Sequence, residues 1–259
     1  MNNRQGTIKR GINYLKYNIL RNLWHAIKMP ILMTKMRYLV YKHTYYSPAP
    51  PDDVIWVNPD DISKRNNQLS IQNGIGKIKD GEWDLKGEPF SEYPLFIGLR
   101  ERYKLGKEWQ DTHYYRLERE KLNTDGYTST GHTSMEEFAN EKLEYIDDLY
   151  NSIRKNGYIY EDNSQIKHNK YKLHKKEYRY YDDLECLVVI GRDGEIQLSH
   201  GHHRLSLCKI NNIPQIPVNV HARHEKWQHK RDKLSRSECN PNNTELKPYI
   251  DHPDMDDIC

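Results

Sequence analysis

Residues 184–220 alternate between apolar runs and turn residues, and this pattern limits the fold more than any other part of the chain. Apolar runs of about four to eight residues are typical of strands, and an Asp-Gly pair between two such runs is typical of a hairpin. We predict a strand over Leu184–Ile190, a hairpin turn over Gly191–Gly194, a return strand over Glu195–Leu198, a short helix over Arg204–Asn211 and a last strand over Ile216–Val220. Because proline has no N–H to donate, Pro217 places the last strand at a sheet edge.

Between the return strand and the short helix lie Gly201, His202, His203 and Arg204, which we call the glycine turn. A helix that follows a sharp turn leaves backbone N–H groups at its N-terminus without partners, and these groups favour an anion. The glycine permits a sharp turn, the arginine offers a fork of donors that matches two phosphate oxygens, and the histidines can also donate. The glycine turn is therefore predicted to bind phosphate.

The hairpin, this turn, the short helix and the strand after Ile213-Pro214 resemble the ParB/sulfiredoxin superfamily, whose members bind nucleotide phosphates at the corresponding turn. The turn is most similar to the Asp-Gly-His-His-Arg form of the free-serine kinases, with His200 in place of the Asp. The resemblance covers about 85 residues, 135–220, and leaves the N-terminal half uncovered. It implies an α+β fold with a small mixed sheet flanked by helices, and ATP, ADP or CTP with Mg²⁺ as the ligand.

Two differences from the motifs of the superfamily argue against two of its functions, the sulfiredoxin reaction and ParB-type DNA clamping. Sulfiredoxin chemistry needs a cysteine where this chain has His202, and the ParB motif Glu-Asn-x-x-Arg is missing after Val220. No helix-turn-helix pattern follows either. The sequence therefore favours a nucleotide-binding protein, and it leaves open a kinase, an NTPase and a protein without turnover. The alternative is a ParB-like DNA-binding or nuclease-type protein.

A kinase or NTPase would need a carboxylate as general base or as a ligand for Mg²⁺. In members of the superfamily such groups come from before or within the helix that precedes the hairpin. Here that helix is predicted over Met135–Lys155, with Thr133 or Ser134 as N-cap and Gly157 beyond its end. The candidate catalytic residues are Glu136, Glu137, Glu144 and His202.

Positive charge is concentrated at the N-terminus. Residues 1–51 hold nine Lys and Arg and no Asp or Glu, so that subtracting them from the net charge of +3 leaves −6 for the rest. Apolar residues recur at helical spacing over residues 8–29. A basic amphipathic helix can pack on its own domain, lie on an anionic membrane surface or follow a DNA backbone, and all three readings stay open. Under the hypothesis that this helix lies on a membrane surface, the chain is a non-enzymatic accessory protein.

Composition shifts divide the chain into four regions. We predict a basic helical extension over 1–46, a linker and accessory region over 47–130, a ParB/sulfiredoxin-like domain over 131–236 and a disordered tail over 237–259. The first boundary is the proline-rich Ser47–Pro51 and the last is the polar, acidic composition that follows.

The remaining patterns concern location and metals. The four cysteines lack Cys-x-x-Cys spacing, and no signal peptide or transmembrane run is present, so the chain is predicted to be cytoplasmic and free of a disulfide framework, with membrane-peripheral attachment open. Although His200, His202 and His203 are close in sequence, no carboxylate or cysteine has recognised ligand spacing, and no metal site is predicted.

Overall fold

A computed structural model describes residues 29–71, 74–159, 184, 186–240 and 245–259. It has a mixed α+β architecture with one seven-stranded sheet, which confirms the predicted fold class at that level. The helix predicted over residues 8–29 and most of the loop predicted over 158–181 lie outside the described residues.

The sheet mixes parallel and antiparallel pairs. Its strands are β1 (Val54–Val57), β2 (Lys64–Arg65), β3 (Lys77–Lys79), β4 (Glu88–Pro89), β5 (Cys186–Ile190), β6 (Ile196–His200) and β7 (Ile216–His224). The order is β1-β7-β5-β6-β2-β4, and β3 extends the edge beside the second half of β7. β5 forms the predicted hairpin with β6 and pairs parallel with β7, so the predicted strands are the centre of the sheet.

Helices cover the sheet. They are α1 (Met29–Thr44), α2 (Pro94–Leu105), α3 (His113–Asp125), α4 (Met135–Glu137), α5 (Glu144–Asn156), α6 (His202–Ile210) and α7 (Glu225–Arg236). A π-helical segment, Phe138–Leu143, joins α4 to α5, so the helix predicted over Met135–Lys155 is confirmed as one continuous helical stretch. Ser134 caps it by accepting from the backbone N–H of Glu137 at 3.1 Å.

Both faces of the central strand are buried. Cys186, Val188 and Ile190 of β5 belong to the main core, whereas Leu187 and Val189 belong to two smaller clusters on the opposite face. Since successive side chains of a strand point to opposite faces, an unbroken apolar run is what a strand covered on both sides requires. The turn that follows β6 is thus attached to a sheet whose central strand is buried on both faces.

The predicted position of β7 at a sheet edge is wrong, because β7 lies between β1 and β5. Pro217 pairs with Trp56 of β1, and the ladder with β5 begins one residue later, at Val218. The missing N–H therefore falls before the central ladder starts, where it interrupts nothing.

The predicted accessory region is part of the same sheet. β1, β2, β3 and β4 all come from residues 47–130. Asp84 accepts from the backbone N–H and the guanidinium of Arg192 in the hairpin turn, and its carbonyl accepts from Gln197 of β6. The apolar run Val54–Val57 is a strand candidate in the sequence, and β1 confirms it. β2, β3 and β4 have only two or three residues each and carry little periodicity, which is why the sequence pattern did not identify them.

The predicted disorder of residues 237–259 is wrong for those of them that the structure describes. Met255 is fully buried, Asp254 binds Arg223 through a pair of short contacts, and Asp257 binds Arg231. A disulfide between Cys239 and Cys259 closes the segment, which also corrects the expectation for the cysteines. Two of the acidic residues that suggested a solvated tail, Asp254 and Asp257, are neutralised by arginines from β7 and α7.

Candidate functional site

The glycine turn connects β6 to α6 through a backbone that only glycine fits. Gly201 has φ of 92°, in the left-handed region, and a Cβ at this position would lie 2.7 Å from Sγ and 3.0 Å from Cα of Cys186. Both the dihedral angle and the contact exclude a side chain. The chain therefore passes directly against β5 before the helix begins.

The N-terminus of α6 exposes backbone donors to the space beyond the turn. The helix begins at His202, two residues before the predicted start, and its first intrahelical bond runs from the N–H of Leu205 to the carbonyl of Gly201 at 3.0 Å. The N–H groups of His202, His203 and Arg204 precede that bond, and glycine offers no side chain to cap them. This arrangement suits an anion.

His202 is neutral at physiological pH. Burial, followed by the electrostatic effects of His200 and Arg65, lowers the pKa of its imidazole to about 4. Its ring lies 5.1 Å from that of Tyr93, and the Arg65 guanidinium lies 4.5 Å from the same Tyr93 ring. Its Nε2 is buried without a hydrogen-bond partner among the described residues. His202 is thus a neutral hydrogen-bonding group held between an aromatic ring and the turn.

His203 points to a cavity of about 590 Å³ beside α2 and α3. Burial, followed by the charge of Lys142, lowers the pKa of His203 well below its usual value, and its Nε2 has no partner within the described part of the chain. The other polar side chains that line the cavity are Tyr93, Tyr114, Glu118, Glu120, Lys121, Thr124, Ser129 and Thr130. The lining therefore includes two phenol rings, three aliphatic hydroxyls, two carboxylates, an ammonium group and an imidazole.

Two charged groups, Glu118 and Lys142, are buried at or near this cavity. The Glu118 carboxylate accepts from the backbone N–H of Ser129 at 2.7 Å, and it is the buried carboxylate of the lining. Burial lowers the pKa of Lys142 to about 8, and the charge of Glu118 acts in the opposite direction. Lys142 lies in the π-helical segment, and such segments frequently occur at functional sites. Neither residue stood out in the sequence, because nothing in their local spacing indicates burial.

Arg204 turns away from the cavity. Its guanidinium donates to the hydroxyl of Tyr158 at 3.5 Å and to the carbonyl of Leu184 at 3.2 Å. It therefore connects the start of α6 to the segment that precedes β5. Arg204 belongs to the site by its position in the first turn of the helix.

The three predicted glutamates lie apart from the glycine turn. Glu137 caps its helix, accepting from the backbone N–H of Thr133 at 2.9 Å and from its hydroxyl at 3.2 Å. Glu136 and Glu144 are exposed, and no hydrogen bond or ion pair joins either to another described residue. Glu118, from α3, is the buried carboxylate in the lining of the cavity that His203 also lines.

Within residues 29–71, 74–159, 184, 186–240 and 245–259, no three His, Cys, Asp or Glu side chains are grouped as metal ligands. None of the helices in the described part of the chain is long and apolar enough to cross a lipid bilayer.

Comparisons with known proteins do not assign the chain to a family. No protein-family model, no curated protein and no solved structure matches it. The glycine turn, the two buried imidazoles and the cavity that His203 lines are the observations that bear on function.

Proposed function

We propose that this chain is a nucleotide-binding protein of the ParB/sulfiredoxin type, and that the glycine turn holds the phosphates of ATP, ADP or CTP with Mg²⁺. The support is the resemblance of the turn to the free-serine kinase motif, together with its position after a β-hairpin and before a short helix and a parallel strand. A phosphate at this position would accept hydrogen bonds from the backbone N–H groups at the start of α6.

One observation carries the proposal furthest: the Nε2 atoms of His202 and His203 are buried and have no partner among the described residues. A buried polar atom without a partner costs about 1–3 kcal/mol. Two such atoms in consecutive residues, beside an uncapped helix N-terminus, mark a place where a polar ligand supplies the missing hydrogen bonds.

The cavity beside His203 suits the remainder of the ligand or an acceptor for its phosphate. For turnover, we propose Glu118 in the role first considered for Glu136, Glu137 and Glu144, because it is buried in the lining of that cavity. A carboxylate so placed can accept a proton from a hydroxyl or bind Mg²⁺. His202 then positions phosphate as a neutral donor.

The test is a thermal-shift panel with ATP, ADP and CTP, each with and without Mg²⁺. A nucleotide at a hundred times its Kd stabilises the wild type by about 2.7 kcal/mol, which raises Tm by about 5–10 °C. Arg204→Ala is expected to lose this shift. Arg154→Ala, which removes an exposed arginine near the end of α5, is expected to keep it. If no nucleotide shifts wild type more than Arg204→Ala, the proposal fails.

Helix α1 supports a second candidate, attachment to an anionic membrane surface. Leu32, Met33, Met36, Leu39 and Val40 recur at helical spacing and are between 40% and 61% exposed. The surrounding charge is positive, since Lys35 and Lys42 are exposed and residues 1–51 contain no acid. An apolar row with a basic border fits the interface of an anionic bilayer, whereas a DNA backbone would use the charge alone.

Liposome co-sedimentation of the full chain tests this candidate. We expect binding to vesicles that contain phosphatidylserine, no binding to phosphatidylcholine vesicles, and loss of binding in Leu39→Glu. The matched control is Leu105→Glu, which changes an equally exposed leucine on α2. Salt-dependent DNA binding that Leu39→Glu leaves intact would instead support the DNA reading.

A further inference from the structure

A row of hydrogen bonds crosses the sheet on the face opposite to α6. Lys77 Nζ lies 3.1 Å from His221 Nε2, His221 Nδ1 lies 3.1 Å from Ser199 Oγ, and Ser199 Oγ lies 3.2 Å from His200 Nδ1. Three strands, β3, β7 and β6, contribute one or two residues each. The row ends beside Gly201, so it connects the far edge of the sheet to the glycine turn.

Two β-bulges create this row. Along β6 the pairing with β5 passes from Leu198 to His200 and skips Ser199, and along β7 it passes from Val220 to Ala222 and skips His221. A bulge leaves one residue out of the ladder and redirects its side chain, and bulges are frequent next to active sites. Here the two extra residues flank β5 and bond to each other.

The direction of the hydrogen bonds follows from the lysine. An ammonium group has donors only, so Lys77 must donate to His221 Nε2. The ring is then protonated on Nδ1 and donates to Ser199 Oγ, which leaves the serine hydroxyl to donate to His200 Nδ1. Burial, followed by the charge of Lys77, lowers the pKa of His221 to about 3, which agrees with a neutral ring.

Lys77 borders a small basic pocket, a cavity of about 170 Å³ lined by Arg37, Tyr41, Ser70, Lys77 and Lys79, with two apolar neighbours. Arg37 and Tyr41 come from α1 and the lysines from β3. The described lining contains three cations and no carboxylate. The charges of Arg37 and Lys79 repel that of Lys77, and an anion in the pocket would relieve that repulsion.

Lys77 is the buried member of this group, with 6% of its surface exposed. Burial, followed by the charges of Arg37 and Lys79, lowers the pKa of its amine to about 8, so it is still mostly protonated at pH 7. Among the described residues its ammonium has two partners, the carbonyl of Ser70 and His221 Nε2. One of its three protons therefore remains for a ligand in the pocket.

We infer that the basic pocket is an oxyanion site, separate from the glycine turn, that takes one phosphate or sulfate group. Lys77 donates from the buried wall, while Arg37 and Lys79 complete the positive lining. The site does not require nucleotide binding at the glycine turn. Its occupant is a free anion or the phosphate of a larger ligand, and the recognising groups are the same for both.

Calorimetric titration of the full chain with inorganic phosphate, at ionic strength matched with chloride, tests the site. We expect wild type to bind, Lys77→Met to bind at least tenfold more weakly, and the exposed-lysine control Lys155→Met to bind like wild type. Methionine fills the space of the buried lysine without its charge. Circular dichroism in chloride checks that the variant folds, and Arg37→Gln, which changes a half-buried residue of α1, is the second variant.

Retention of phosphate binding by both Lys77→Met and Arg37→Gln overturns the inference. Loss of phosphate binding in Arg204→Ala but not in the pocket variants also overturns it, because the anion would then bind at the glycine turn. A second titration with ATP identifies the source. Weakening by both Lys77→Met and Arg204→Ala supports a pocket that receives a phosphate of the nucleotide, and weakening by Arg204→Ala alone supports a pocket for a free anion.

Discussion

Two groups of basic side chains, each drawn from a strand and a helix, differ in what neutralises them. The first, which we call the tail cluster, consists of Arg223 and Arg231 bound to Asp254 and Asp257 in the C-terminal segment. The second is the basic pocket, whose described lining has three cations and no carboxylate. Cations that the chain itself neutralises hold the structure together, whereas a cavity whose described lining is positive and holds no carboxylate favours an external anion.

The largest effect is expected from the tail cluster. Asp254 is 1% exposed and accepts from Arg223 and from the indole N–H of Trp227 at 2.8 Å. Asp254→Ala leaves two arginines buried without their shared partner and is expected to destabilise the fold by about 3–5 kcal/mol. Urea denaturation measures this change. Asp251→Ala, in the same segment but exposed, should stay within about 0.5 kcal/mol of wild type, and equal effects of the two variants would contradict the structural role.

Gly201→Ala is expected to have the second largest effect on the free energy of unfolding. Alanine at φ of 92° is strained, and its Cβ would lie 2.7 Å from Sγ of Cys186, so we expect a loss of about 2–4 kcal/mol. Gly126 provides the matched control, since it has φ of 79° and nothing within 4 Å of the added Cβ. Gly126→Ala should cost about 1 kcal/mol, from the backbone alone. Equal losses in the two variants would show that the contact with Cys186 contributes nothing.

The acid stability of the tail cluster is the third test. Burial alone would raise the pKa of Asp254, but the charges of Arg223 and Arg231 outweigh it and lower the pKa to about 2 from 3.8. A carboxyl whose folded pKa is lowered contributes stability above the unfolded pKa and loses it as the pH falls through the folded pKa. The contribution, about 2 kcal/mol, should therefore disappear between about pH 4 and pH 2. The difference in unfolding free energy between wild type and Asp254→Asn, followed from pH 6 to pH 2, measures it, and a constant difference would contradict it.

The distance along the chain between the residues that form a feature decides whether the sequence predicts that feature. The hairpin, the glycine turn and the helix ending before Gly157 depend on residues within a few positions of one another, and local spacing identified them. The glycine turn was found because its donors lie in four consecutive residues. Sequence patterns therefore describe the centre of the sheet well.

The remaining features depend on long separations. Arg223 and Asp254 are 31 residues apart, so the acidic tail looked solvated although the fold supplies its partners. Lys77 and His221 are 144 residues apart, and their contact requires bulges whose register only the folded sheet determines. Glu118 reaches the cavity because α3 packs there, and neither its helix nor its neighbours indicate this in the sequence.

The smallest effect on folding is expected at Lys77. This variant is also the sharpest test of the difference between the basic pocket and the tail cluster. In chloride, Lys77→Met should change the unfolding free energy by less than about 1 kcal/mol, because relief of burial and of repulsion by Arg37 and Lys79 offsets two lost hydrogen bonds. Removing a member of the pocket is thus tolerated, whereas removing Asp254 from the tail cluster is not.

The loss caused by Lys77→Met should appear in anion binding and not in folding. Sulfate is the suitable anion, because it does not titrate between about pH 6 and pH 9. The groups that face the Lys77 amine are Arg37 and Tyr41 from α1, Lys79 from β3, His221 from β7 and Ser70 from the preceding loop. Because the pKa of Lys77 is lowered to about 8, the amine is protonated below that value and neutral above it. Sulfate affinity should be constant from pH 6 to 7.5 and then fall by up to about tenfold per pH unit above 8, while Lys77→Met shows weak, pH-independent binding. A wild-type affinity that stays level through pH 9 would mean that Lys77 does not contact the anion, and the difference between the two basic groups would then reflect packing alone.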